Sequence, residues 1–280
     1  DGQRLVSGSW DGEIKLWDLI TGREILSFRA YVGPVHSVAF SPDGTKILSA
    51  GNRLGKPGEV KLWDTQTGKK LFSIQGSPNV VRCAEFSPDG KHIICSGQLK
   101  QITVFHAHDG SEALAIRNLS GSVRSVAYSP DGKRIVSSGA DLMLRVWDAQ
   151  SGQELLSIRV NRPPTRLCFS PNGRHVVGLS QHSDLEVWDV RLGKKAFILK
   201  GHTGIATGAA FTPDGSRIIT TAKDGTMRFW NARDGKLQRT LVGDLLPLQD
   251  VATSPDGRHI VSAGHLIKVW DGKNLGQKGR

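Results

Sequence analysis

Two short motifs recur in phase along this chain, and a repeat of that kind restricts the fold more than any composition does. Ser-Pro-Asp-Gly stands at 41–44, 87–90, 129–132 and 254–257, with the variants Ser170-Pro171-Asn172-Gly173 and Thr212-Pro213-Asp214-Gly215. Beside it runs Trp17-Asp18, Trp63-Asp64, Trp147-Asp148, Trp188-Asp189 and Trp270-Asp271, with Phe105-His106 and Trp230-Asn231 as degenerate copies. The aromatics are 46, 42, 42, 41, 42 and 40 residues apart. Such a chain repeats one supersecondary unit and buries the apolar faces of each unit against the next.

Each unit reads as four strands. In Val35-His36-Ser37-Val38-Ala39-Phe40 a β-branched, apolar run ends at the Pro-Asp-Gly turn, and Lys46-Ile47-Leu48-Ser49-Ala50 follows at once, as a hairpin requires. Glu59-Val60-Lys61-Leu62-Trp63 alternates polar and apolar residues, and a Thr67-Gly68 turn leads to Lys70-Leu71-Phe72-Ser73-Ile74. We letter these strands a to d. Asp1-Gly2 matches the end of a Ser-Pro-Asp-Gly turn, so the first repeat lacks strand a. The polar, glycine-rich 272–280 does not suit an outer strand, so the last repeat lacks strand d. A chain that begins Asp1-Gly2 and leaves two strands unsupplied is expected to be a piece of a longer protein.

A period of 40 to 46 residues ending in Trp-Asp resembles the WD-repeat family over essentially the whole chain. The resemblance implies an all-β, seven-bladed β-propeller of four-stranded antiparallel blades, the first without strand a and the last without strand d. It forms a single domain over 1–280, with blades at 1–29, 30–76, 77–118, 119–160, 161–200, 201–243 and 244–280. It further implies a hydrogen-bonded set within a blade, made of a His before strand a, a hydroxyl on strand b, an Asp in the b–c turn and the Trp of strand c. Blade 6 carries all four as His202, Thr220, Asp224 and Trp230. Blades 1 and 4 carry Ser7, Asp11 and Trp17, and Ser137, Asp141 and Trp147. Blades 2, 3, 5 and 7 have Pro57, Leu99, His182 and Gly264 in place of the Asp and are expected to be individually less stable.

The function implied is binding without catalysis, and no cofactor is expected. The histidine, aspartate and hydroxyl of blade 6 mimic a nucleophilic triad, but the hydroxyl is expected to face an indole instead of an open cleft. No P-loop, dinucleotide fingerprint, GxSxG or HExxH occurs. Among metal ligands, His106-Ala107-His108-Asp109 offers two imidazoles on one strand face, against the reading of a solvated turn, and no metal is assigned. Cys83, Cys95 and Cys168 form no CxxC pair and lie in strand-like runs, as reduced cysteines of a cytoplasmic protein do. No apolar run is long enough to span a membrane.

A formal charge of +11 favours acidic partners, yet the cations are spread over repeated turns, which argues against a nucleic-acid face. The a–b and c–d turns are nearly uniform, whereas the d–a and b–c connections, which the family places on the top face, differ in every repeat and are where specificity is expected. At the start of strand a the column reads His36, Arg82, Arg124, Thr165, Thr207 and Gln249, either the wet mouth of a channel or a binding rim. Trp10, Tyr31, Arg53, Arg162 and Lys223 stand in the same connections, and the insertion 52–58 lengthens one of them. Trp10 lies outside the tryptophan column, as an exposed contact or packed on a neighbouring blade. The expected partner is a protein or peptide, acidic or phosphorylated, bound at Trp10, Tyr31, His36, Arg53, Arg82, Arg124, Arg162 and Lys223. The alternative is a sensory or docking domain of a larger signalling enzyme such as a serine/threonine kinase.

Overall fold

The computed structural model describes residues 2–52, 57–77, 81–97 and 100–273. It is all-β, a seven-bladed β-propeller fold whose blades are four-stranded antiparallel sheets except the first and last, which have three strands. The blades divide between two compact units, 3–163 and 164–280 with residues 1–2.

The first unit holds blade 1, β1 (Arg4–Gly8), β2 (Glu13–Asp18) and β3 (Glu24–Arg29), and blade 2, β4 (Val35–Phe40), β5 (Lys46–Asn52), β6 (Gly58–Asp64) and β7 (Lys70–Ser77). Blade 3 follows with β8 (Val81–Phe86), β9 (His92–Gly97), β10 (Ile102–His106) and β11 (Glu112–Ile116), and blade 4 with β12 (Val123–Tyr128), β13 (Arg134–Gly139), β14 (Met143–Asp148) and β15 (Glu154–Arg159). The second unit holds blade 5, β16 (Arg166–Phe169), β17 (His175–Leu179), β18 (Leu185–Asp189) and β19 (Lys194–Leu199). Blade 6 is β20 (Ala206–Phe211), β21 (Arg217–Ala222), β22 (Thr226–Asn231) and β23 (Leu237–Val242), and blade 7 is β24 (Asp250–Thr253), β25 (His259–Ala263) and β26 (Ile267–Asp271).

Strands pair in chain order within each blade, because short turns join only antiparallel neighbours. Strand b is buried on both faces, as in β9 and β13, whereas strand d shows its outer residues to solvent, as in β15 and β23. The core lies between blades. Trp63 of blade 2 packs with Ile14 of blade 1, Trp147 of blade 4 with Ile94 and Ile102 of blade 3, and Trp230 of blade 6 with Val177 and Leu185 of blade 5. Each such buried side chain contributes roughly 1.5–3 kcal/mol, which is why a large aromatic recurs once per repeat.

The turns explain the Ser-Pro-Asp-Gly motif. In Ser41-Pro42-Asp43-Gly44 the Ser41 hydroxyl donates to Asp43 Oδ1 at 2.5 Å and accepts the Lys46 N–H at 2.9 Å, while Asp43 also accepts the Thr45 N–H. Gly44 closes the turn at φ +70°, a conformation that a side chain disfavours. The same Ser-to-Asp bond repeats at Ser87, Ser129 and Ser254. The Asp of each Trp-Asp pair caps the c–d turn in the same manner, Asp64 accepting the N–H groups of Gln66 and Thr67. The two kinds of turn are tied together at one end of the blade by backbone bonds such as Thr65 N–H to Thr45 O and Ala149 N–H to Lys133 O.

Candidate functional site

Blade 6 holds the four residues read from its sequence in one chain of hydrogen bonds. Asp224 Oδ2 lies 3.0 Å from His202 Nδ1, His202 Nε2 lies 2.7 Å from Thr220 Oγ, and Trp230 Nε1–H donates to Thr220 Oγ at 2.8 Å. A carboxylate only accepts, so Nδ1 carries the proton, Nε2 accepts from the threonine, and the threonine accepts from the indole. Desolvation alone would raise the Asp224 pKa, but the Thr226 hydroxyl and N–H, the Thr203 N–H and His202 together hold it well below the carboxylate range. Burial lowers the His202 pKa, with the neighbouring carboxylate pulling the other way. Thr220 is wholly buried, its hydroxyl proton facing the imidazole and a lone pair facing the indole, so this triad-like trio has neither an open nucleophile nor room for a substrate.

The other blades treat the same position differently. Trp17, Trp147 and Trp270 donate to Ser7, Ser137 and Ser262 at 2.8, 2.8 and 2.9 Å. Asp11 and Asp141 do not meet a histidine; Asp11 caps its own turn with Ser9 and the Glu13 N–H, and Asp141 pairs with Arg145 at 2.7 Å. Blade 3 has exchanged hydroxyl and indole together for Cys95 and Phe105, both buried in one apolar cluster, which leaves no polar atom to satisfy. In blade 5 Gly178 stands beneath Trp188, where an added Cβ would come within 2.5 Å of the ring.

Blade 2 corrects the sequence reading. Tyr31 was expected in an exposed connection, but it is 5% exposed and occupies the place that His202 has in blade 6. Its hydroxyl lies 3.0 Å from Ser49 Oγ, which accepts the Trp63 indole N–H at 2.8 Å, and the Lys61 ammonium covers its ring at 4.3 Å from the centroid. The phenol is buried because it has partners there. Blade 2 thus has its own polar set, and Tyr31 belongs to the frame.

The connection end is less satisfied. The b–c turn and d–a connection of blade 1 touch, with Val35 N–H donating to Ser9 O and Ala30 N–H to Gly12 O. On this platform Trp10 is 85% exposed and Val32 is exposed beside the buried Tyr31. His36 is exposed on β4, its Nε2 2.7 Å from Asn52 Oδ1. Arg82 takes its place on β8, Arg124 is half-buried on β12 and Arg162 is exposed between β15 and β16. Among the described residues no ion pair engages Arg124 or Arg162. Arg53, within the insertion of blade 2, lies outside the described residues. In the second unit Lys223 is exposed in the b–c turn of blade 6, while Thr165 and Thr207 spend their hydroxyls on backbone carbonyls.

His106 and His108 have ring centroids 5.4 Å apart, and His108 Nε2 lies 3.3 Å from Asp109 Oδ2. Among the described residues no three His, Cys, Asp or Glu side chains are grouped to hold a metal ion. Cys83, Cys95 and Cys168 form no disulfide among the described residues, and burial raises the Cys95 thiol pKa far above its ordinary range.

Comparison with known proteins bears on the repeat itself. The model of the WD domain, G-beta repeat family matches residues 99–148, 193–231 and 235–271. The matched repeats and the seven blades together support one family. The chain is a WD-repeat propeller. The model of eukaryotic translation initiation factor eIF2A also matches, over residues 3–104. The WD40 repeat-containing protein HOS15 of Arabidopsis thaliana is 46% identical over 43 residues, 15% of this chain and 7% of that protein. Mouse apoptotic protease-activating factor 1 is 48% identical over 46 residues, 16% of this chain and 4% of that protein. The small ribosomal subunit protein RACK1y of Oryza sativa subsp. japonica is 74% identical over 23 residues, 8% of this chain and 7% of that protein. The matched stretches thus span less than a tenth of these relatives' own length. WD-repeat propellers are generally protein-interaction scaffolds, typically non-catalytic, that bind protein partners. Among the described residues no helix is long and apolar enough to cross a membrane.

Proposed function

We propose that this WD-repeat propeller is a non-catalytic scaffold whose partner, an acidic or phosphorylated protein segment, docks on the d–a and b–c connections of blades 1 to 4. The observation that carries the reading is Trp10, an indole 85% exposed in a polar turn whose Asp11 is already held by Ser9 and the Glu13 N–H. An exposed indole contributes nothing to the fold, and tryptophan and arginine dominate interface hot spots. Arg124 and Arg162 supply guanidinium groups that no carboxylate of the described residues engages, as recognition of carboxylate or phosphate needs. His36 and Arg82 extend the strip along strand a of blades 2 and 3, Arg53 falls in the insertion of blade 2, and Lys223 has the matching place in blade 6.

The test is an array of immobilised peptides with acidic, phosphoserine, neutral and basic sequences, probed with the wild-type chain, with Trp10→Ala and with Arg82→Glu plus Arg124→Glu. Acidic and phosphorylated peptides should be retained by the wild type and lost by both variants. Retention of basic or neutral peptides alone, or equal retention by the variants, would overturn the reading.

A further inference from the structure

Between blades 3 and 4, at the turn end, a cleft of about 850 Å³ is lined by His92 and His106 of blade 3 and by Tyr128, Asp131, Lys133 and Asp148 of blade 4. Asp89 of the blade 3 turn also lines it. The repeat explains why it is open. In blade 1 the first residue of strand b is Arg4, opposite Asp18 in the register, and its side chain crosses to blade 2. There its guanidinium carbon lies 5.7 Å from the centroid of Phe40, and Nη2 donates to the Gly44 carbonyl at 3.3 Å. Arg4 therefore fills, from within the chain, the place that the cleft leaves open two blades on.

In blade 3 the register puts His92 at the position of Arg4, opposite His106. Blade 4 presents Tyr128 where blade 2 has Phe40, and Gly132 where blade 2 has Gly44. An imidazole is shorter than an arginine side chain, and His92 stays against its own blade, its ring 5.3 Å from that of His106. The receiving half of the contact remains without its guanidinium: an aromatic ring, a turn carbonyl and a polar rim of three carboxylates against one ammonium. Tyr128 itself is 6% exposed, and its hydroxyl has no hydrogen-bond partner among the described residues. Burial first, and then the charges of Glu85 and Asp89, raise its phenol pKa, so the phenol stays neutral.

We propose that this cleft binds the guanidinium of an arginine side chain carried by a partner, stacked on Tyr128 and hydrogen-bonded to the Gly132 carbonyl as Arg4 is to Phe40 and Gly44. Arginine suits the site better than lysine because its planar group stacks on a ring while still donating at its edge. The site differs from the proposed docking strip in place and in sign. It lies among the turns and takes a cation, whereas the strip lies among the connections and takes anions.

Blocked Gly-Arg-Gly, Gly-Lys-Gly and Gly-Leu-Gly, titrated into the full chain and followed by amide chemical shifts, test it. The arginine peptide should bind at least about fivefold tighter than the other two and shift Tyr128 and Gly132. His92→Arg, which restores the residue found in blade 1, should fill the cleft and abolish the binding. Tyr128→Leu should weaken it about tenfold. Equal affinity for the arginine and leucine peptides, or undiminished arginine binding in His92→Arg, would overturn the proposal, and His92→Arg keeps the test decisive if Tyr128→Leu does not fold.

Discussion

The two ends of each blade are built on different terms. At the turn end Ser41, Asp43, Thr45 and Asp64 spend their hydrogen bonds on one another and on nearby backbone, and the pattern repeats with little change through the chain. At the connection end Trp10 is open to solvent and Arg162 has no carboxylate partner among the described residues. Groups that satisfy one another stabilise the frame and are unavailable to a partner, the ring and carbonyl left open in the cleft of blades 3 and 4 apart. Groups left unsatisfied at a wet surface cost the frame little and remain available for recognition. Frame and recognition should therefore be separable by mutation, and each prediction below tries to break that separation.

The largest effect is expected at Thr220. Thr220→Val keeps the shape but strands the buried His202 Nε2 and Trp230 Nε1, a loss of about 3 kcal/mol in urea unfolding with peptide binding at blades 1 to 4 unchanged. Glu85 comes next. Burial pushes its carboxyl pKa up to about 7 against an ordinary 4.5, and its N–H contact from Tyr128 is long at 3.4 Å. With the folded value raised, this group's contribution is full below pH 4.5 and is lost as pH rises through 7. Glu85→Gln should therefore match the wild type near pH 4.5 and exceed it at pH 8 by on the order of 2 kcal/mol.

Tyr31→Phe removes the hydroxyl beside Ser49 and should cost about 1 kcal/mol by thermal unfolding, where an exposed connection residue would cost nothing measurable. The turn carboxylates give a smaller signal of opposite sign to Glu85. The Ser41 hydroxyl, then the Thr45 N–H, hold Asp43 down at about 2 against an ordinary 3.8, so its contribution is present above pH 3.8 and lost as pH falls through 2. Asp43→Asn should flatten the acid limb of a stability profile between pH 4 and 2. Smallest of all, Trp10→Ala should shift stability by less than about 0.5 kcal/mol while removing the retained peptides.

Much of the frame was legible because two motifs kept phase over the whole chain, and because the four residues of blade 6 stand at the spacings the family uses. Tyr31 was not, because the longer b–c connection of blade 2 moves its tryptophan away. Trp63 lies 14 residues from its hydroxyl partner, against 10 in blade 6 and 8 for Trp270 in blade 7. The signal that survives the insertion is on the other side of the hydroxyl. Tyr31 and Ser49 are 18 residues apart, as are His202 and Thr220. The cleft of blades 3 and 4 was hidden for another reason. Histidine for arginine at position 92 reads as one cation for another, and only the reach of Arg4 to Phe40 and Gly44 shows what the shorter side chain leaves open. The exposure of Trp10 likewise needed the fold, since the sequence allowed packing on a neighbouring blade equally.

The separation of frame from recognition is tested most directly by measuring stability and affinity together on one variant. Arg124→Glu plus Arg162→Glu should lower affinity for the retained acidic or phosphorylated peptides at least about tenfold by fluorescence anisotropy, with an unfolding midpoint equal to that of the wild type. Undiminished affinity, or a loss accompanied by an equal fall in the folded population, would contradict it.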